Sequence, residues 1–509
     1  MLETAQKVID EQAVEIHHLR KQLFGRRSEK ISRDQLSLFA QTLAAIAARA
    51  SSDDEGNREP EPEPKKPNRK NKTSRRTLKP TRTEEIPVPE DERPCPECGQ
   101  ARCTLGHVRS IVVEYTPPKL EVIEYLREKI VCRPCEGEIS IAPPPAERVI
   151  DRALPGPQLL SVLVTNKAVD GLPLQRTRKI LKRAGLDIPV RTLNRWEGYA
   201  RDLLEPIIKL VRRHVLDADI INLDDTGLRV RDPTVKGDTV KGHVWAFVGR
   251  KYDPGGDLSK TREFVFYDYA ETWEAVHPEN FLKDSRAVLQ GDAYRGYERI
   301  ASGERGDRIE RLLAGCCMHA RRPFVQALDT GDPAATFFVE RFQRLYKIEE
   351  RAKRENLLAD VRLELRQTES MPIMEELYER ARELSSLPLL KPMRTGTTYF
   401  MNQWEKLKVP FTTDGRLEID NGVAERYLRR VASGRKAWLF AGSHDGARRF
   451  ADVLSLVSTA DAAGVDAGSY LPSVLGVVST WPNSRIEELL PRQWRIALEE
   501  MLRQQTHEE

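Results

Sequence analysis

The stretch IINLDDTGLRV, residues 220–230, is an apolar run that meets two carboxylates, Asp224 and Asp225. AVLQGDAYRGY repeats that grammar, with Asp292 closing a second short apolar run. A third acid, Glu425, lies in DNGVAERYLRR, which has the polarity of a surface helix. Two strand-borne acids and one helix-borne acid form a donor set for a hard divalent cation. Mg²⁺ takes oxygen ligands and is held by one or two carboxylates plus substrate phosphate. A pair of such ions can clamp the attacking and leaving oxygens of a phosphoryl transfer. On spacing alone an acid at a strand end is more often a solvated turn residue, so the residues around each acid must decide.

Four of the seven cysteines form the pairs CPEC (Cys95, Cys98) and CRPC (Cys132, Cys135). Two C-x-x-C knuckles flanking a strand-like segment fit a tetrahedral four-cysteine zinc site, and so short a segment has little core of its own. Cys103 and His107 are spare ligands for an alternative set. Paired thiolates of this kind point to Zn²⁺ as a structural metal in a reducing compartment rather than to disulfides.

The rest of the chain must position these groups. At 509 residues, several domains are expected. Hydrophobic residues make up 39% and charged residues 31%, with a mean hydropathy of −0.54, so part of the length reads as polar tail or linker. The net charge of +4 does not mark a nucleic-acid binder, but its distribution does. No apolar run approaches the roughly 18 residues that span a bilayer. The N-terminus lacks the pattern of a secretory signal, so a cytoplasmic protein is expected.

Residues 1–50 carry Ile9, Val14, Ile16, Leu19 and Leu23 at helical spacing. Such a helix can pair with a second copy or pack on its own chain. Residues 51–90 are acidic and proline-rich, then basic, with almost nothing apolar to bury, and read as disordered linker. Residues 91–145 hold the zinc ligands and a small β-module. Residues 146–215 read as three helices, with Gly185 in a short turn before the third, the grammar of a helix-turn-helix. Fourteen Lys and Arg stand against seven Asp and Glu between Glu147 and Arg213. Arg191, Asn194 and Arg195 fall at the N-terminal end of the third helix, where base-edge contacts usually arise.

From residue 216 to 324 the pattern changes to IINLDDTGLRV, GHVWAFVGR and REFVFYDYA as three strands. A helix-like TWEAVHPENFLKD precedes a fourth strand, SRAVLQGDAY, and a fifth is expected near IERLLAGCCMHARR. This is the order of an RNase H-like fold, in which the first and fourth strands are neighbours and Asp224 can meet Asp292. Residues 325–403 read as a charged helical insertion. Residues 404–445 return to the core with the Glu425 helix, on which Arg429 shares a face with Glu425 and Arg430 follows. Arg435 and Lys436 are expected in a loop before WLFAG, and residues 446–509 as helices. The fold class is multidomain α/β. An RNase H-like catalytic core with a helical insertion follows an N-terminal helix, a small zinc β-module closed by four cysteines, and a helix-turn-helix domain.

LFGRRSEK, the CPEC and CRPC pairs, LDDTG, GDAYRGY, CCMHARRPF, LYKIE, DGRLEIDNGVAERYLRR and GRKAWLFAGS occur in that order. In these phrases the chain resembles DDE transposases of the insertion-sequence 66 family over nearly its full length. The resemblance implies Asp224, Asp292 and Glu425 as the metal-binding triad, with two Mg²⁺ or Mn²⁺ ions. The family's motif has its catalytic acid first, so the resemblance selects Asp224, and Asp225 should not share the site equally, because neighbours on a strand face opposite ways. It also matches Cys316 and His319 to a C-x-x-H motif whose histidine lies at the site. Asp225, Gly227, Cys317-Met318 and Gly422 depart from the commoner family residues without removing a triad acid. The implied activity is binding of terminal inverted repeats, DNA cleavage and strand transfer, with Arg429, Arg435 and Lys436 as phosphate contacts. The implied partners are element ends and target DNA, a second copy of the chain, and accessory proteins encoded by the element, in a bacterial nucleoid. The competing expectation is a non-catalytic DNA-binding protein on a degenerate transposase scaffold.

Overall fold

The computed structural model describes residues 120–126, 129–130, 140–141, 149–150, 153–235, 237–303 and 309–508. The expected N-terminal helix, the linker, and Cys95, Cys98, Cys132, Cys135, Cys103 and His107 lie outside the described residues. All described elements belong to one compact unit, Pro117–Glu509. Within the expected zinc module, β1 (Lys129–Ile130) and β2 (Ser140–Ile141) form an antiparallel pair.

Three helices then follow: α1 (Pro157–Ala168), α2 (Leu174–Arg183) and α3 (Val190–Leu216). Proline opens α1 at its first position, where a missing N–H costs nothing. Helix α3 is longer than a recognition helix needs to be. Its first turns expose Arg191, Asn194 and Arg195, while Leu193, Trp196, Leu204 and Val211 are buried.

The chain leaves α3 directly into the central strand, β3 (Ile220–Arg231). Strands β4 (Thr239–Lys251) and β5 (Arg262–Ala270) continue it as an antiparallel meander. Helix α4 (Val276–Leu282), strand β6 (Val288–Gln290), helix α5 (Arg295–Ser302) and strand β7 (Leu313–Ala314) complete the sheet. The strand order is β5-β4-β3-β6-β7, with β6 parallel to β3 and β7 parallel to β6. The first and fourth strands of this sheet are therefore neighbours. Ile220 to Leu223 are all buried, as expected for a central strand covered on both faces.

Beyond β7, helices α6 (Cys317–Asp329), α7 (Ala335–Arg354), α9 (Met371–Ser385) and α10 (Lys391–Asn402) build a second core, and α8 (Ala359–Leu365) between α7 and α9 adds the buried Arg362. Phe324 stacks on Phe338 there with ring centroids 4.0 Å apart. Below it lies an ion network closed to water. Glu349 accepts from Arg362 at 2.7 Å and from Arg366 at 2.7 and 2.8 Å.

Helix α11 (Gly422–Trp438) brings the chain back to the sheet, and α12 (His444–Ala462) covers β5. Because β5 is an edge strand, its outward N–H groups need partners. Ser455 and Thr459 of α12 accept them, at 2.8 Å from Tyr267 and 3.0 Å from Val265. Helices α13 (Ala467–Val477) and α14 (Pro491–Glu508) close the chain.

Two sequence expectations need correction. Arg435 and Lys436 are not in a loop but in the last turn of α11. The Ser433-Gly434 pair looks like a break, yet Gly434 is a helical contact point. A Cβ there would come within 2.9 Å of the Trp438 indole, and Gly171 packs close by. Likewise TWEAVHPENFLKD is helical only from Val276, so Trp273 sits in the loop before it.

Candidate active site

Asp224 is on β3, and Asp292 lies just past the end of β6. The parallel register pairs Asn222 with Gln290, so continuing it sets Asp224 level with Asp292. Gly291 makes that approach possible. A Cβ on it would meet the Tyr297 ring at 2.9 Å and the Leu223 carbonyl at 3.4 Å. Glu425, in the first turn of α11, completes the corner. Its Oε1 faces His319 Nε2 at 3.7 Å and Arg322 at 3.9 Å, both on α6. Among the described residues Glu425 has no ion pair with Arg429, which is exposed.

Beneath the three acids lies a buried amide cluster. Asn222 donates to Gln290 at 3.1 Å and to Asn421 at 3.0 Å. Asn421 donates to the Leu223 carbonyl at 2.9 Å, and Gln290 to the Glu418 carbonyl at 2.6 Å. The Asn421 N–H also donates to Cys316 Sγ at 3.2 Å. Asn421 is the residue from which α11 starts, so this cluster ties the Glu425 helix to the strands that carry Asp224 and Asp292. Cys316 is fully buried, and burial pushes its thiol up to about 12, so it acts as a neutral acceptor.

Charge at the corner is unbalanced. Burial first, and then the neighbouring Asp292 carboxylate, push the Asp224 pKa up to about 7. The Asp225 N–H, 2.8 Å from Asp224 Oδ1, works the other way. The Tyr294 N–H holds Asp292 Oδ1 at 3.0 Å. Burial and then Arg322 hold His319 below the usual histidine range, so its ring is neutral near pH 7. Glu425 Oε1 and His319 Nδ1 are buried without a hydrogen-bond partner.

Asp225 does separate work. Its Oδ2 lies 2.6 Å from His243 Nδ1, and its Oδ1 accepts from the Trp273 indole at 2.9 Å. The alternation of the strand thus gives the two adjacent acids different partners.

Among the described residues no three His, Cys, Asp or Glu side chains stand close enough to make a ready metal cluster. The donor chemistry nonetheless fits a hard divalent cation. A carboxylate whose proton affinity is raised by burial and by its acidic neighbours, together with a buried carboxylate oxygen lacking a hydrogen bond, is what a cation would relieve.

Residues 152–449, more than half of the chain, match the profile described as Transposase IS66 family. The chain belongs to the IS66 transposase family. Residues 12–81 match a profile described as Transposase C of IS166 homeodomain. Residues 92–136 match the zinc-finger binding domain of transposase IS66, a span that includes all four paired cysteines. Similar proteins include two uncharacterized proteins of Sinorhizobium fredii. Protein y4hP is 31% identical over 95% of this chain and 88% of its own length. Protein y4qI is 31% identical over 81% of this chain and 75% of its own length. Among the described residues, no helix of this IS66-family protein is long and apolar enough to cross a membrane.

The remaining sequence candidates fall on this family framework as follows. Lys436 is exposed on the last turn of α11. Arg435 is half-buried and donates to Thr226 Oγ1 at 2.9 Å and to the Gly227 carbonyl, bracing α11 against β3. Arg430 pairs with Asp461 at 2.6 Å. Sequence reasoning missed Asn222, Gln290, Asn421, His243 and Trp273. The signal for the first two was a polar residue inside an apolar strand run, a pattern that marks a buried hydrogen-bonded amide.

Proposed function

We propose that this protein is the transposase of an insertion sequence. It binds the terminal inverted repeats of its element, cleaves DNA in a metal-dependent reaction and transfers the freed strand to target DNA. The observation that carries this reading is the electrostatic coupling of Asp224 with Asp292 and Glu425 at one corner of the sheet. The strand order supports reading the sheet as an RNase H-like core, with residues 325–403 inserted before the Glu425 helix. Asp224, Asp292 and Glu425 would hold Mg²⁺ or Mn²⁺, which when bound activates water and stabilises the leaving 3′ oxygen.

The chain's own residues do the positioning. The Asp225 and Tyr294 N–H groups orient one oxygen each of Asp224 and Asp292. Neutral His319 lies against Glu425 and brings no positive charge to it. Arg322, more than half exposed, offers a guanidinium to the scissile phosphate beside Glu425. Arg429 and Lys436 on α11 attract the flanking backbone, while Arg435 holds the helix they sit on. Arg191, Asn194 and Arg195 project from the start of α3 to read base edges. Cys95, Cys98, Cys132 and Cys135 hold a structural Zn²⁺, and the N-terminal segment pairs two copies so that two ends can be joined.

The test is end cleavage. Labelled DNA carrying the element terminus is incubated with the protein in Mg²⁺, then in EDTA, beside Glu425→Ala. Metal-dependent 3′-end cuts that vanish in Glu425→Ala are expected. Tight binding with no cut in either protein would instead support the degenerate-scaffold reading.

A further inference from the structure

Trp273 is a large aromatic side chain that remains 53% exposed in the loop between β5 and α4. It is nonetheless held from three directions. Its indole N–H donates to Asp225 Oδ1 at 2.9 Å. Its ring stacks on the buried His243, with centroids 5.7 Å apart and planes within 18°. The Tyr294 ring lies 5.0 Å away, and the Tyr294 hydroxyl donates to the Trp273 carbonyl at 3.3 Å. Both anchors lead to the catalytic corner. Asp225 adjoins Asp224 in sequence, and the Tyr294 N–H holds Asp292. Beside Tyr294 opens a recess of about 440 Å³, lined by Ala275, Val276, Arg295 and Arg299 among others. A mobile exposed tryptophan would need none of this support, whereas a flat ring fixed beside a phosphate-handling site suits one task. Aromatic rings stack on nucleobases whatever their sequence, because every base has a π-face.

Building on the transposase reading, we propose that Trp273 is a stacking platform for an unpaired nucleobase next to the scissile phosphate, with the Tyr294 recess receiving that nucleotide. The ligand is single-stranded or locally opened DNA at the cut. Asp225 and His243 are positioning residues that hold the platform.

The experiment uses full-length protein carrying Glu425→Gln, so that the DNA stays whole, and element-end DNA with 5-iodouracil at successive positions around the cut. Irradiation and peptide mapping by mass spectrometry should give an adduct on Trp273 from one position. In the same background Trp273→Ala should lose the adduct and weaken end binding by about 5- to 150-fold. Trp273→Phe, which keeps a ring but not the N–H, should retain most of the affinity. An abasic site at the adduct position should weaken binding of the parent protein, and Trp273→Ala should add no further loss on that DNA. Adducts only on other residues overturn the proposal, as do Trp273→Ala and abasic losses that multiply at every position. These results are independent of cutting. Failure of wild-type protein to cleave sinks the transposase reading alone, and failure to bind the end sinks both.

Discussion

At the scale of single residues, Asp224 is the most informative group in the molecule. Its carboxyl holds a proton up to a pH of about 7 in the folded chain, against a reference value of 3.8. The folded state therefore binds more protons than the unfolded state between those values, and stability falls as pH rises through that window. The cost is on the order of 4 kcal/mol at its upper end. Asp224→Asn removes this term. In metal-free thermal melts from pH 4 to pH 7, the wild type should lose more stability than Asp224→Asn. Near pH 7, Mg²⁺ should raise the wild-type midpoint and leave Asp224→Asn nearly unmoved, since ligand binding stabilises only the form that binds. Equal magnesium shifts in the two proteins would count against Asp224 as a ligand. That Asp224 was a candidate at all was legible from an acid following an apolar strand run. Its proton affinity was not, because it depends first on burial in the folded sheet and then on Asp292, which lies just past the end of a different strand.

Elements set how those residues meet, and here polar contacts inside the core matter most. Asn421 satisfies Asn222 and the Leu223 carbonyl while starting the helix that carries Glu425. Removing one partner of a buried hydrogen bond costs about 1–3 kcal/mol, because the other is left unsatisfied. Asn421→Ala should therefore lower stability by about that much and slow end cleavage, with end-DNA affinity close to wild type. Melts, binding and cleavage rates measured on one preparation separate these effects, and a parallel loss of affinity would point to general misfolding. A second element-level device is Glu349. Burial opposes its ionisation, but Arg366 and Arg362 outweigh that and hold its carboxyl below the usual range. Its contribution is thus complete above the unfolded glutamate pKa and is lost as pH falls through the folded value. Glu349→Ala leaves the buried Arg366 without a carboxylate, while Arg362 keeps Glu418 at 3.0 Å, and should cost about 3–5 kcal/mol, seen as early melting of the α6–α10 core. The sequence showed these helices by their charge and periodicity. It did not show which charges would face inward, since Arg362 and Arg366 look like ordinary surface arginines until α7 is packed against them. The misplacement of Arg435 and Lys436 has the same origin, because Gly434 reads as a stop unless Trp438 and Gly171 are known to cover it.

At the scale of the whole molecule, the helices before the sheet and α11–α13 after it share one hydrophobic core. Leu160 and Leu163 of α1, Trp196 and Val211 of α3, Phe247 and Val265 of the sheet, and Leu471 and Val474 of α13 are buried in the same cluster. Along the chain, residues 146–215 have the proportions of a free-standing helix-turn-helix, because local periodicity says which face is apolar but not what covers it. The structure covers that face with α12, α13 and β5. Cross-links between the ends of the unit reinforce this, with Arg201 of α3 donating to Asp452 of α12 at 2.8 Å. The surface proposed to read DNA is then coupled to the sheet that carries the acids, with α3 running without interruption from Arg191 almost to β3. A fragment comprising residues 146–216 would expose the apolar faces of α1 and α3, and it should fail to fold when expressed alone. Circular dichroism should show little cooperative melting, and element-end binding should be lost. In the intact chain, Arg195→Ala should weaken end binding while leaving the melting curve in place. A fragment that melts cooperatively and binds the end as tightly as the full chain would show that recognition is a separable module, and that the shared core serves stability alone.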